Sequence, residues 1–160
     1  MNRSQFITYV EESQESLRRF LTALCCGDMA LADDLAQETL VKAWLACDDF
    51  RGDASFSSWI RRIAYNSFVN SRRTVRVLEP IEAAERVSSP EKSDDSFRYQ
   101  ELYSALARLT ARERSSIVLF YLEGYSVREI AEIEGVSADS VKQHLSRGRA
   151  HLRTLIENNP

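Results

Sequence analysis

Ser140, Gln143 and Arg147 stand at i, i+3 and i+7 of one helical pattern, with Lys142, Ser146 and Arg149 flanking them. Hydroxyl, amide and guanidinium donors spaced this way can meet base edges in a DNA groove while neighbouring cations hold phosphates. The plainer reading is a solvated helix whose arginines serve only solubility. A second basic surface lies upstream: Arg61, Arg62, Arg72, Arg73 and Arg76 fall between residues 54 and 78, a stretch with no acid. The polar stretch before it, Phe50 to Ser58, is edged by aromatic residues. A loop of that kind beside a cationic helix suits the capture of an unpaired base. A third set, Asp33, Asp34, Gln37 and Glu38 with Val41, points outward from another helical pattern. It offers carboxylates and an amide to a basic protein groove rather than to nucleic acid, although on these residues alone an ordinary solvated face is the preferred reading.

Other chemistry is not expected. No Ser/His/Asp, Cys/His or phosphate-loop constellation is present, so the chain does not read as an enzyme. Cys25, Cys26 and Cys47 are odd in number and two are adjacent, which argues against a disulfide framework. His144 and His151 are far from them in sequence, so no metal or other cofactor is expected. The cysteines read as buried or half-buried thiols in a reducing compartment. No run approaches the roughly 18 apolar residues of a membrane span. The start, Met1-Asn2-Arg3-Ser4, lacks the apolar core of a signal peptide, and a soluble cytoplasmic protein is expected.

The net charge of −3 over 160 residues hides a sharp segregation. Residues 1–53 carry five basic against ten acidic side chains, residues 54–78 five basic and none acidic, and residues 79–97 two basic against six acidic. Separate basic surfaces on an acidic chain can each meet phosphate, while the acidic parts suit a basic partner.

The elements that must position these groups read as helices. Five glycines and three prolines in 160 residues leave little room for turn-rich sheet. Apolar periodicity predicts helices over about Phe6–Cys26 and Met29–Cys47, separated by Gly27, with Asp28 as N-cap. A third pattern begins near Phe56 and buries Trp59, Ile60, Ile63, Ala64 and Phe68; Trp59 and Trp44 both read as core. Periodicity then fails from Glu79 to Ser96, where Pro80, Pro90 and the acidic charge indicate a linker. Beyond it a helix is expected over about Phe97–Leu109. Two capping boxes follow, Thr110-Ala111-Arg112-Glu113 and Ser126-Val127-Arg128-Glu129. The first opens a helix to about Glu123, ending at Gly124. The second opens a short helix ending near Gly135, and Ser137 caps the last helix, to about Ile156. Ile130, Ala131, Gly135, Val136, Val141 and Leu145 supply what two crossed helices need, with Leu152 also inward. Glu134 fits that pattern poorly, and an outward orientation is expected for it. The expected fold is all-α: a three-helix N-terminal domain, a flexible acidic linker and a four-helix C-terminal domain with a helix-turn-helix.

Three stretches in this order resemble one family. Asp33-Asp34-Leu35-Ala36-Gln37-Glu38-Thr39-Leu40-Val41-Lys42-Ala43-Trp44 resembles the polymerase-binding helix of bacterial sigma factors. Phe50-Arg51-Gly52-Asp53-Ala54-Ser55-Phe56-Ser57-Ser58-Trp59-Ile60-Arg61-Arg62-Ile63-Ala64-Tyr65-Asn66 is similar to their promoter-melting segment. Ser140-Val141-Lys142 through Arg147-Gly148-Arg149 is similar to their second DNA-reading region. Order and spacing match the extracytoplasmic-function subgroup, and the resemblance covers nearly the whole chain. It implies region 2 over residues 1–77, a linker over 78–96 and region 4 over 97–160. It implies core RNA polymerase as a partner of Asp33, Asp34, Gln37, Glu38 and Val41. It further implies promoter DNA, both duplex and melted. The minus-ten strand would meet Gly52, Asp53, Ala54, Ser55, Phe56, Arg61, Arg62, Asn66, Asn70, Arg72 and Arg73. The minus-thirty-five element would meet Ser140, Lys142, Gln143, Ser146, Arg147 and Arg149. The acidic linker would thread along the polymerase channel. An anti-sigma factor, often membrane-anchored in the family, is the implied regulator. Two other readings stay open on the residues alone: a stand-alone helix-turn-helix regulator of duplex DNA, and a protein that titrates another regulator.

Overall fold

Asn2 starts the first helix earlier than apolar periodicity suggests. Its side chain accepts the Gln5 N–H at 2.8 Å, and the Gln5 side chain accepts the Asn2 N–H at 3.1 Å, a reciprocal cap. Helix α1 therefore covers Arg3–Leu24. The computed structural model describes residues 1–78 and 94–157, without the side chains of 74–78 and 94–98. Within these residues α2 covers Met29–Leu45, α3 Phe56–Leu78, α4 Asp94–Ala107, α5 Ala111–Ile117, α6 Val127–Glu134 and α7 Ala138–Glu157. No strand occurs among the described residues, and the fold is all-α. Most of the stretch read as an acidic linker, including Pro80 and Pro90, lies outside them. Helix α4 begins at Asp94, ahead of the Phe97 start.

Both expected capping boxes form, at Thr110 with Glu113 and at Ser126 with Glu129. Asp28 caps α2 through the Leu31 N–H at 3.1 Å. The segment expected to run as one helix to Glu123 instead changes character. After Ile117, residues Val118–Leu122 wind as a π-helix, and the Glu123 N–H donates to the Val118 carbonyl at 3.0 Å. Such widened turns swing the chain that follows them to a new direction, and here they deliver Glu123 and Tyr125 toward α3.

The apolar faces converge on one continuous core. Leu17, Phe20, Leu21 and Leu24 of α1, Leu35 of α2 and Ile60 and Phe68 of α3 join Leu106, Val118, Leu119, Ile130, Ile133, Val141 and Leu145. Each such side chain contributes about 1.5–3 kcal/mol through removal from water. The two halves of the chain are thus packed on each other, α3 against α6 and α1 against α4 and α5.

Gly27 sits on this junction with φ +89°, and a Cβ there would stand 2.7 Å from Cδ2 of Tyr103. Positive φ and a ring in contact both act against a side chain. Gly27→Ala is expected to destabilise by about 1–3 kcal/mol, read from urea unfolding midpoints. An unchanged midpoint would mean that neither the turn nor the ring contact is tightly held.

Candidate nucleic-acid and protein interfaces

Helix α2 divides cleanly into two faces. Ala32, Leu35, Ala36, Thr39 and Ala43 are buried, and the Thr39 hydroxyl donates back to the Leu35 carbonyl at 2.6 Å. Asp33, Asp34, Gln37, Glu38 and Val41 are exposed together. Leu45 extends this row by one turn and is 77 % exposed, beside Val41 at 60 %. The sequence reading missed Leu45, although its i+4 spacing from Val41 was the available signal. Glu38 pairs with Lys42 at 2.7 Å, and Lys42 also donates to Ser67 on α3, which fixes that edge. A carboxylate-rich face ending in two exposed aliphatic residues suits a basic protein groove with an apolar floor.

The loop before α3 rests on an aromatic cluster. Phe56 is buried, stacked on Tyr9 at 4.9 Å and edge-on to Phe6 at 6.0 Å, and Phe50 lies 5.1 Å from Trp59. Trp59 is half-buried and Trp44 packs on Phe6, so both serve the core as expected. Arg51, Gly52, Asp53 and Ser55 are exposed and Ala54 half-buried, while Ser55 caps α3 by accepting the Ser58 N–H at 3.1 Å. The candidate minus-ten residues therefore separate. The loop is open to solvent, and Arg62, Asn66, Asn70 and Arg73 form an exposed row along α3. Arg72 is half-buried with its guanidinium 5.6 Å from the Phe68 ring. Phe56 and Arg61 point inward, at 7 % and 2 % exposure.

In the C-terminal half, Gly135 closes α6 in the left-handed conformation, at φ 69°. Val141, Leu145 and Gly148 bury one face of α7, leaving Lys142, Gln143, Ser146, Arg147 and Arg149 exposed. Gln143, Ser146 and Arg147 centre that exposed face, with Lys142 on one edge. The flanking members are more constrained. Ser140 is half-buried and its hydroxyl is engaged by Ser137 at 3.0 Å, while Arg149 donates to the Tyr121 hydroxyl at 3.2 Å. Arg112, exposed at the start of α5, was not singled out in the sequence. It comes near enough to α7 that His144, held below its ordinary pKa mainly by burial, is depressed further by the charges of Arg112 and Arg147. Phosphates beside α7 would find this cation as well.

Glu134 does not face outward. It is buried, and the Ser116 hydroxyl donates to its carboxylate at 3.0 and 3.2 Å. The side chain closes the gap between α6 and α5 that an apolar residue would otherwise fill. Burial pushes its pKa up to about 7, against the opposing pull of hydroxyl donors and Arg112.

The thiols are not poised for chemistry. Cys25 is pushed up to about 12, by burial first and then by Asp28, and Cys26 is raised by burial. No cluster of three metal-ligating side chains occurs among the described residues, and no described helix is long and apolar enough to cross a membrane.

Comparison with known proteins finds two family models on the chain. The model of sigma-70 region 2 matches residues 9–77, and that of sigma-70 region 4 matches residues 99–152. The RNA polymerase sigma factor NccH of Alcaligenes xylosoxydans xylosoxydans is 32 % identical over 136 residues, 79 % of this chain and 73 % of that protein. The ECF RNA polymerase sigma factor SigM of Mycobacterium tuberculosis is 31 % identical over 131 residues, 78 % of this chain and 64 % of that one. Among solved structures, the sigma factor RpoE of Bartonella quintana in complex with the anti-sigma factor NepR superposes with a TM-score of 0.82. The match spans 98 % of this chain and 99 % of that one at 26 % identity. CnrH in complex with the cytosolic domain of CnrY gives 0.76 over 99 % and 92 %, again at 26 % identity.

Proposed function

From the extracytoplasmic-function group of sigma-70 factors, the family to which this chain belongs, we infer that it is an alternative sigma factor. It binds core RNA polymerase and directs transcription to particular promoters, in response to an envelope or extracellular signal. The observation that carries this is the presence of both region models, in order, on a chain that also exposes an acidic α2 face and a donor-bearing α7 face. A stand-alone duplex-DNA regulator would leave the region 2 match and the α2 face without a purpose.

Residues 1–77 act as region 2, 78–96 as the linker and 97–160 as region 4. Asp33, Asp34, Gln37, Glu38 and Val41, extended by Leu45, dock on the polymerase. The exposed loop at Gly52–Ser55 takes a separated base of the minus-ten strand, with Arg62, Asn66, Asn70 and Arg73 on its backbone. Gln143, Ser146 and Arg147 read the minus-thirty-five element, with Lys142 and Arg112 on phosphates. The protein works in the cytoplasm beside the polymerase and carries no catalytic step of its own. Its control falls to an anti-sigma factor, as with the RpoE chain solved with the anti-sigma factor NepR.

The test is transcription by core polymerase plus this protein on fragmented genomic DNA, with the 5′ ends of transcripts sequenced. New start sites sharing two spaced elements are the expected result; duplex binding with no new starts would return the reading to a stand-alone regulator. On the promoters found, Arg147→Ala is expected to reduce initiation roughly 5- to 150-fold, the value of about 1–3 kcal/mol of base discrimination. An equal loss on promoters with the minus-thirty-five element scrambled would assign Arg147 to phosphate instead.

A further inference from the structure

Arg61 belongs to the basic helix yet is 2 % exposed. Its partners come from both halves of the chain. It donates to Ser16 of α1 at 3.0 Å, to the Ser57 hydroxyl at 2.9 Å and to the Glu123 carboxylate at 3.2 Å. Its guanidinium lies 5.8 Å from the Phe20 ring and 5.4 Å from the Tyr125 ring. Tyr125 is itself hydrogen-bonded through its hydroxyl to Ser57, at the foot of the promoter-facing loop. Glu123 and Tyr125 sit in the turn between the π-helix and α6. That turn brings a carboxylate and an aromatic ring to an arginine and a serine of the strand-binding helix. An unpaired DNA strand brings a phosphate and a base, which arginine recognises by the same two contacts, a charge-assisted hydrogen bond and ring stacking.

The geometry points to an autoinhibitory latch: the Glu123–Tyr125 turn of region 4 occupies the Arg61–Ser57 site on α3 as a stand-in for the promoter strand and holds the free protein closed. This rests on the assignment of α3 to the minus-ten strand and goes beyond it, because the strand must displace a segment of the protein's own chain. The latch also explains why this arginine, unlike Arg62 beside it, is directed into the protein. A guanidinium with one nitrogen, Nε, left without a partner is a costly group to bury for packing alone. The π-helix just before the turn gives it the reach. Of the similar chains described above, RpoE was solved with the anti-sigma factor NepR and CnrH with the cytosolic domain of CnrY.

The full chain, without polymerase or anti-sigma factor, is the material for the test. Three variants serve: Glu123→Gln, Tyr125→Ala and the pair together. Tyr125→Ala changes no charge, so a gain in DNA binding by it cannot come from general electrostatics. Small-angle scattering reads closure, and fluorescence anisotropy with a labelled random single-stranded 20-mer reads access to α3. The double variant is expected to show a larger radius of gyration with unchanged helical circular dichroism. It should bind the oligonucleotide about tenfold more tightly, since affinity scales with the fraction of open chain. One more phosphate contact should steepen its salt dependence by a slope of about 0.7. A charge swap, Arg61→Glu with Glu123→Arg, should close again in scattering while Glu123→Arg alone stays open. Variants with the wild-type radius and affinity would overturn the latch. Variants that open yet bind no tighter would overturn its inhibitory role. Failure of wild-type protein to direct transcription would instead count against the sigma assignment, and scattering would still decide closure.

Discussion

Arg114→Ala is expected to destabilise the protein by about 3–5 kcal/mol, a drop of roughly 10 °C in thermal midpoint for a chain of this size. Arg114 is 4 % exposed and meets no carboxylate among the described residues; its partners there are backbone carbonyls. Nε donates to Leu106 at 2.8 Å, Nη1 to Leu24 at 2.8 Å and Nη2 to Leu109 at 3.2 Å. Leu24 is the last residue of α1, and Leu106 and Leu109 flank the end of α4, where carbonyls have no partner within their own helix. The cation also meets the negative ends of those two helix dipoles. Burial lowers its basicity, so the group is held at a desolvation cost that only these contacts offset. Truncation leaves three buried acceptors unmet and a cavity where the stem packed. Arg114→Lys should rescue little, because one ammonium cannot span a three-pronged site. Urea unfolding followed by circular dichroism measures this. A loss below about 1 kcal/mol would show that water replaces the guanidinium without difficulty.

Glu134→Gln is expected to stabilise the protein by about 3 kcal/mol at pH 8 and to make no difference below pH 4. The ordinary glutamate value is 4.5, and burial raises this one to about 7. Between those values the folded protein keeps a proton that the unfolded chain has released. Stability therefore falls as pH rises through that window and levels off above about 7, where the buried carboxylate is ionised. Ser115, Ser116, Arg112 and the Tyr65 ring of α3 surround it, and Tyr65 is in turn raised to about 12, mainly by burial. Glutamine still accepts from Ser116, at 3.0 Å in the present arrangement, and has no charge to desolvate. Unfolding curves at a series of pH values decide this. Parallel pH profiles for the two proteins would mean that water reaches the carboxylate.

The local parts of this fold were written in local signals. Thr110 with Glu113 and Ser126 with Glu129 could be read as helix starts because each box is complete within four residues. The α2 face could be read because apolar and polar positions alternate with helical period. What escaped depended on residues distant in sequence. Arg61 and Arg62 are indistinguishable as a dipeptide, and only the row Arg61, Ala64, Phe68 shows that the first lies along a buried stripe. The partner that makes burial tolerable, Glu123, is 62 positions away. The π-helix had no visible mark, since its apolar residues continue a normal helical pattern. Glu134 did carry a mark, a charge where the helix crossing wants an apolar group, but the Ser116 donor that settles its orientation belongs to another helix.

The junction between the halves has one further consequence, for the background level of gene expression. The Glu123 and Tyr125 contacts, the Arg114 bond to Leu24 and the Tyr103 ring over Gly27 all lie on one seam, so opening breaks them together. The open fraction of unbound protein then depends exponentially on the summed strength of the seam, tenfold for each 1.4 kcal/mol. A cell that makes slightly more of this factor than of its inhibitor would leak transcription in proportion to the surplus multiplied by that fraction. Residues far from any promoter contact thereby set how quiet the regulon stays between signals.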